Sequence, residues 1–315
     1  MTPLLRIGAR GSALSLRQTA QVRARIALAL GVSEDALPIT SITTSGDKQQ
    51  EGRLIETGGK GLFTKELDEA LRDGRIDIAV HSLKDLPTRL PDDITLACVP
   101  EREDPRDAFV SNTAASLAEL PAGAVVGTAS LRRQAQTLYA RPDLKIAVLR
   151  GNVDTRIKKL EAGVADATYL ALAGLKRLGL EQHAKSLVDP DDMPPAACQG
   201  ALAITTRAAD TQTIARLAPL ESALARVEIE AERAFLEALD GSCRTPISAL
   251  ARCDGARIAF IGETLTPDGK KRWRREATAT MGANPIAAAR ALGDTLGRDI
   301  RKEAGDALML DRAQK

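Results

Sequence analysis

Apolar positions along this chain switch repeatedly between short runs of strand length and the three-to-four-residue spacing of helices. LLRIGAR reads as a strand. After Gly11-Ser12 the run from Ala13 to Leu30 puts Leu14, Val22, Ile26 and Leu30 at helical spacing, closed by Gly31. PITSITTSG alternates as a second strand, and SGDKQQEGRLIETGGKG, almost without apolar periodicity and rich in glycine, reads as a mobile loop over 46–60 of functional size. Phe63, Leu67, Ala70 and Leu71 line one face of a helix stopped by Gly74. IDIAVHS then reads as a buried strand leading into LKDLP, and ITLACVP as another strand.

From EREDPRDAFV the pattern restarts. AVVGT, KIAVLRG and DATYLA are strand-like and alternate with helices from Ser130 through Tyr139, from Val153 to Leu160, and over ALAGLKRLG, which predicts a second α/β unit with a largely parallel sheet. DPDDMPPAACQGALAITTR carries three prolines and then a short apolar strand that would return the chain to the first sheet. A long amphipathic helix, ESALARVEIEAERAFLEALD, follows with Leu224, Val227, Ala231, Ala234 or Phe235, and Leu239 inward and Gly241 at its end. ISALARC, ARIAFIGETL and KRWRREATAT read as strands, with TPDGK turning between the last two, before a final helix near Pro285. The expected fold is α/β, two periplasmic-binding-protein-like α/β domains around a cleft plus a smaller α+β C-terminal domain. The expected boundaries are 1–101 with 199–219, then 102–198, then 220–315.

Length agrees with this division, since 315 residues is about twice the roughly 150 expected of one domain. With 44% apolar and 27% charged residues the chain has a soluble globular balance, and Arg6 and Arg10 interrupt what would be a signal peptide's apolar stretch. A cytoplasmic protein without a membrane span is expected. The net charge of +2 gives no global field for nucleic acid, and seven aromatics are too few for base-stacking platforms. Anion binding must therefore be local and ionic. Cys98, Cys198, Cys243 and Cys253 form no CxxC pair and only His81 and His183 accompany them, so neither a zinc site nor a disulfide framework is expected.

Local cations recur where strands end and helices begin: Arg10 with Ser12, Lys60 among glycines, Lys84, Arg132 and Arg133 after Ser130, and Arg150 and Arg156 around Gly151-Asn152. Ligands of open α/β sheets bind beyond the carboxyl ends of the strands, where helix N–H groups point at anions. Any one of these arginines reads more simply as a solvated surface charge, but the repetition predicts a polyanion in a cleft between two lobes. Asp85, in HSLKDLP, puts a carboxylate among these cations. It reads either as a turn aspartate or as a group that moves a proton or stabilises developing positive charge. Cys243, in the loop DGSCRTP beside Arg244, is a thiol easier to ionise than a buried one and a candidate for covalent attachment. Cys98 and Cys253 read as packing residues, and Cys198 in its Pro-rich turn is open.

Taken in order, GARGSALSLRQ, GGKGLFTKEL, DIAVHSLKDLP, REDPRDAFVS, VGTASLRRQ, VLRGNVDTRIKKL, AGLKRLGL and ERAFLEALDGSCRTPI resemble the porphobilinogen deaminase (hydroxymethylbilane synthase) family. The resemblance implies a three-domain cytosolic monomeric transferase of tetrapyrrole and haem biosynthesis. Such an enzyme joins porphobilinogen units head to tail and releases ammonia at each step, giving hydroxymethylbilane. Its chain grows on a dipyrromethane cofactor, thioether-linked to the cysteine matching Cys243. It further implies a catalytic role for Asp85, stabilising the azafulvene cation left when ammonia departs. Lys84, Thr128, Ser130, Arg132, Arg133 and Gly200 match cofactor contacts, and Arg10, Ser12, Gln18, Lys60, Arg150, Arg156 and Arg177 match substrate contacts. No metal, nucleic-acid or membrane partner is implied. Glu56, Thr57, Ser242 and Cys198 depart from the family's usual residues, the last standing where glycine is frequent.

Two readings from other classes compete. A two-lobed small-anion-binding protein without catalysis shares the α/β halves but leaves Cys243 unexplained. A thiol hydrolase requires His81 or His183 beside that thiol.

Overall fold

The computed structural model describes residues 3–48, 63–239 and 245–308. The loop expected over 46–60 lies outside these from residue 49 onward, as do Glu56, Thr57, Lys60, Gly241, Ser242 and Cys243. The first lobe begins with β1 (Ile7–Arg10), α1 (Ala13–Leu30), β2 (Ile39–Ile42) and the single turn α2 (Ser45–Lys48). It continues with α3 (Lys65–Arg72), β3 (Ile78–Ser82) and β4 (Ile94–Cys98). Middle-lobe elements are β5 (Asp107–Ser111), β6 (Val125–Gly127), α4 (Leu131–Ala140), β7 (Lys145–Ala147), α5 (Val153–Glu161), β8 (Ala167–Ala171), α6 (Leu172–Leu178) and β9 (Ser186–Leu187). Then come β10 (Leu202–Arg207) and α7 (Thr211–Leu217), and finally α8 (Ala223–Ala238), β11 (Ile247–Asp254), β12 (Arg257–Leu265), β13 (Arg272–Thr280) and α9 (Pro285–Ala304).

Three sheets result, in the orders β2-β1-β3-β10-β4, β7-β6-β8-β5-β9 and β11-β12-β13. β10 does return to the first sheet, antiparallel to both β3 and β4. The middle sheet is less parallel than its helix and strand alternation predicts: β6 is parallel to β7 and β8, but β5 is antiparallel to β8 and β9. Helical crossovers impose parallel pairing only where they connect neighbours, whereas β5 and β9 bring the chain into the lobe and take it out.

Apolar side chains follow most of the predicted faces. Val22 and Ile26 of α1 pack with Ile7, Ile78, Val80 and Ile204 of the first sheet. Phe109 meets Tyr169 edge-on in the middle lobe, ring centroids 5.7 Å apart. On α8, Val227, Ala231, Ala234, Phe235 and Leu239 are buried, but Leu224 is 56% exposed, because Ser222 caps the helix and leaves the next turn over solvent. α8 and α9 approach so closely that a Cβ at Gly293 would fall 2.0 Å from the Ala231 carbonyl oxygen. Among the described residues no helix is long and apolar enough to cross a membrane.

Where the three parts meet, a buried ion pair joins them. Arg102, in the segment leading from the first lobe to the middle one, donates from Nη1 and Nη2 to Glu232 of α8 at 2.7 and 3.1 Å and from Nε to the Gln199 carbonyl at 3.0 Å. The same carboxylate accepts from the backbone N–H of Cys198 at 2.5 Å and of Ala251 on β11 at 2.8 Å. Glu232 is fully buried.

Candidate functional site

Asp85 owes its position to its neighbours. Leu83 and Leu86 are buried in the apolar cluster that also takes in Ile229 and Phe235 of α8, which pins the 3-10 turn Leu83–Asp85 at the end of β3. Lys84 and Asp85 between them are turned out into the cleft and exposed. The Asp85 carboxylate lies 4.0 Å from Arg10 Nη1, and the Arg10 guanidinium lies 4.0 Å from the centroid of the Phe63 ring. Phe63, predicted to line the buried face of α3, instead precedes that helix and faces the cleft. With Ser12, Gln18, Ser82 and His81 these residues line a cavity of about 60 Å³. Ser12 caps α1 by accepting from the Ser15 N–H, and the buried Gln18 donates to the Ser82 hydroxyl at 3.1 Å.

Across the cleft, Ser130 caps α4, accepting from the Arg133 N–H, and the buried Thr128 hydroxyl accepts from the Ser130 N–H at 3.1 Å. This places Arg132 and Arg133 in the first helical turn. Both are buried rather than solvated, and both pair with Asp107: Arg132 Nη2 at 2.8 Å to one oxygen and Arg133 Nη2 at 2.7 Å to the other. Asp107 escaped notice in the sequence because one aspartate opening an apolar strand carries no signal of its own. Gln199, likewise missed, donates to Asp107 at 2.8 Å and accepts from Lys84 at 3.2 Å, so it bridges the two walls.

Arg156 hydrogen-bonds the Gly151 carbonyl at 2.9 Å and shares its surroundings with Arg133, Arg150 and Asp85. Desolvation and the two like charges bring its guanidinium down to about 10, against the pull of Asp85. Lys84, accessible from the cleft but walled in by it, is likewise lowered by desolvation to about 8, with Arg133 and Arg132 pressing the same way and Asp85 and Asp107 opposing. Arg177 is buried and donates to the Gly200 carbonyl at 2.8 Å. Gly200 has φ +90° and its missing Cβ would meet the Glu103 carbonyl oxygen at 2.1 Å, so only glycine fits there. Cys198, two residues earlier, adopts φ +63°. That left-handed backbone accounts for the glycine expected at this place.

The described thiols are poor nucleophiles. Burial pushes Cys98 and Cys198 up to about 12 and the half-buried Cys253 to about 11. Cys198, undecided from sequence, is thereby a packing residue. Buried His81 is lowered to about 4 by desolvation and the Arg10 charge, and contacts the Thr205 hydroxyl at 3.1 Å. Lys60 and Cys243 lie outside the described residues.

These groups suit an anionic ligand with several carboxylates. Two guanidinium groups share one carboxylate in a dry place, leaving positive charge uncompensated, and Arg132 Nε is buried without a hydrogen-bond acceptor among the described residues. The model of the porphobilinogen deaminase dipyromethane cofactor binding domain matches residues 5–215, and that of the porphobilinogen deaminase C-terminal domain matches residues 226–302. The chain belongs to the porphobilinogen deaminase family. A porphobilinogen deaminase of Caulobacter vibrioides strain NA1000 is 57% identical over 98% of this chain and 98% of that protein, and one of Phenylobacterium zucineum strain HLK1 is 54% identical over 98% and 99%. Among solved structures, a putative methionine-binding lipoprotein of Bacillus subtilis aligns with a TM-score of 0.43 and 14% identity, over 70% of this chain and 92% of that one. The porphobilinogen deaminase models thus span both lobes with their cleft and the C-terminal sheet.

Proposed function

We infer that this chain is a hydroxymethylbilane synthase, a transferase that condenses porphobilinogen units head to tail with release of ammonia. The reading rests on family membership over nearly the whole length, and the observation that carries it to a mechanism is a carboxylate, Asp85, standing among the cations Arg10, Lys84 and Arg156. A two-lobed anion-binding protein without catalysis is not favoured. We take the enzyme as a cytoplasmic monomer, as the family resemblance implies, with 1–101 and 199–219 as first domain, 102–198 as second and 220–315 as third.

The dipyrromethane cofactor, held through Cys243, supplies the anchored pyrrole terminus on which the product is extended. Arg132, Arg133, Lys84, Ser130, Thr128 and Gly200 are assigned to hold its carboxylates and rings. Arg10, Ser12, Gln18, Lys60, Arg150, Arg156 and Arg177 are assigned to the acetate and propionate groups of porphobilinogen and of the finished portion of the chain. Arginine forks pair bidentately with such carboxylates. Asp85 faces the positive charge that develops on the substrate pyrrole as its C–N bond breaks and the electron pair leaves with ammonia. The same carboxylate serves each addition, so the extended chain moves past it.

Intact mass tests the assignment. Protein from a porphobilinogen-producing host is expected to exceed the sequence mass by two linked pyrrole units, and Cys243→Ala to lack the excess. An unmodified wild-type mass would overturn it.

Lys84 gives a second expectation. Lowered to about 8, its ammonium is charged below that pH and neutral above it, so its hold on the cofactor's carboxylates should weaken as pH rises through 8. Loss of a charge-assisted contact worth about 1.5 kcal/mol corresponds to a severalfold lower yield of the two-pyrrole adduct when unmodified protein is supplied with porphobilinogen at pH 9.5 rather than pH 7. Lys84→Arg keeps the charge throughout and should flatten that fall; an unchanged profile would show that Lys84 does not meet the cofactor.

A further inference from the structure

Asp107 stands at the first position of β5, sealed from solvent, with every acceptor site of its carboxylate engaged. One oxygen accepts from Arg133 Nη2 at 2.7 Å and Gln199 Nε2 at 2.8 Å. The other accepts from Arg132 Nη2 at 2.8 Å and Arg133 Nε at 3.3 Å. A carboxylate offers about four lone-pair sites, so none is left for substrate. It differs in this from Asp85, whose side chain is 37% exposed.

Its partners would not gather unaided. Arg132 and Arg133 are adjacent, buried, and in the first turn of α4, the end of a helix whose dipole repels cations. Through the Gln199 amide, the same carboxylate is linked to the Lys84 ammonium on the opposite wall, the Lys84 to Gln199 contact being 3.2 Å. We propose that Asp107 is a positioning residue that sets the geometry of Arg132, Arg133 and Lys84 together, so that one buried carboxylate aligns the anion-binding groups of both lobes without touching the ligand. This rests on the function proposed above. Burial alone would raise the Asp107 pKa, but Arg132 and Arg133 hold it well below the usual carboxylate range, so the charge persists at every working pH.

The test reads Lys84 directly. In full-length Cys243→Ala protein, which lacks the adduct, the pH dependence of competitive acylation of Lys84 is followed by peptide mass spectrometry, with and without Asp107→Asn. Lys84 is surrounded by Asp85, Arg133, Asp107 and Arg132. Removing the Asp107 charge leaves the two arginines unopposed, and the Lys84 midpoint is expected to fall by at least half a pH unit. A general loosening of the fold would move it up toward the ordinary lysine value instead. In chains that retain Cys243, the fraction of protein with the two-pyrrole mass is expected to drop at least fivefold in Asp107→Asn. Asp107→Glu, which keeps the charge but shifts it, should restore the Lys84 midpoint and only part of the adduct. Folded Asp107→Asn with an unchanged or raised midpoint, or with full adduct, would overturn the proposal. Should Asp107→Asn fail to fold, Gln199→Leu decides: it leaves the carboxylate and arginines in place, and an unmoved Lys84 midpoint there overturns the proposal equally. Failure of the functional reading is seen separately, as a wild-type protein without added mass.

Discussion

Asp85→Asn is expected to keep its melting temperature and lose at least about a hundredfold in turnover, equivalent to ~2.7 kcal/mol of transition-state stabilisation. Stability should survive because the turn is anchored by the buried Leu83 and Leu86, not by the exposed carboxylate, and because the amide has the same size. Turnover should not, because the amide cannot balance positive charge on the reacting pyrrole. The surrounding cations sharpen the contrast: Arg10 lies at 4.0 Å, and Asp85 also acts on the charges of Lys84 and Arg156. With the aspartate neutralised, the cleft binds carboxylates at least as well, so the loss should fall on kcat rather than KM. Asp85→Glu retains the charge at a displaced position and should keep more activity than the amide. Ammonia release and bilane formation, assayed together beside a thermal melt, check this. Wild-type turnover in Asp85→Asn, or its unfolding, would remove Asp85 from the mechanism.

The largest loss of stability is expected at Glu232. Glu232→Gln leaves the buried Arg102 guanidinium facing a neutral amide with only Glu228, at 3.5 Å, still opposing its charge, and breaking one side of such a buried pair costs toward the lower end of about 3–5 kcal/mol. Its carboxylate also holds the Cys198 N–H, where the backbone is left-handed, and the Ala251 N–H of the third sheet, so the damage should spread to all three parts of the molecule. Arg102→Met with Glu232→Leu removes both charges and should recover part of the loss, but not all, because those two N–H groups remain without an acceptor. Chemical denaturation of the single and double variants measures this. A double variant no better than Glu232→Gln would show that the ion pair itself contributes little.

Sequence periodicity located the strands and helices because each buries one regular face, as at Val22 and Ile26 or Ile78 and Val80. It failed where burial and spacing part company. Leu224 fits the α8 stripe but sits in the capped first turn over solvent, and Phe63 fits α3 but faces the cleft over Arg10. The cations at strand ends and Asp85 were legible because glycine, a cap residue and a charge recur there together. Asp107, Gln199 and Glu232 were not legible. Each acts through partners distant along the chain, Gln199 with Lys84 and Asp107, Glu232 with Arg102, and no local spacing encodes such encounters. The prolines and Cys198 marked a turn, but the left-handed φ of Cys198 and the close approach at Gly200 are visible only in three dimensions.

The place of β10 in the first sheet constrains the order in which the chain can fold. Among the described residues β4 pairs with β10 alone, and β10 lies between it and β3, so the outer part of that sheet cannot assemble until Arg207 has been made. The middle sheet needs only residues 107–187, which are continuous in sequence and whose partners are closer along the chain. During synthesis from the N-terminus the middle lobe therefore has all its strands while Ile94–Cys98 still presents an unpaired edge, the kind of surface on which partly made chains aggregate. Closure of the first sheet is the long-range, entropically costly step, and it sets Leu202 opposite Ser82, two residues before Lys84.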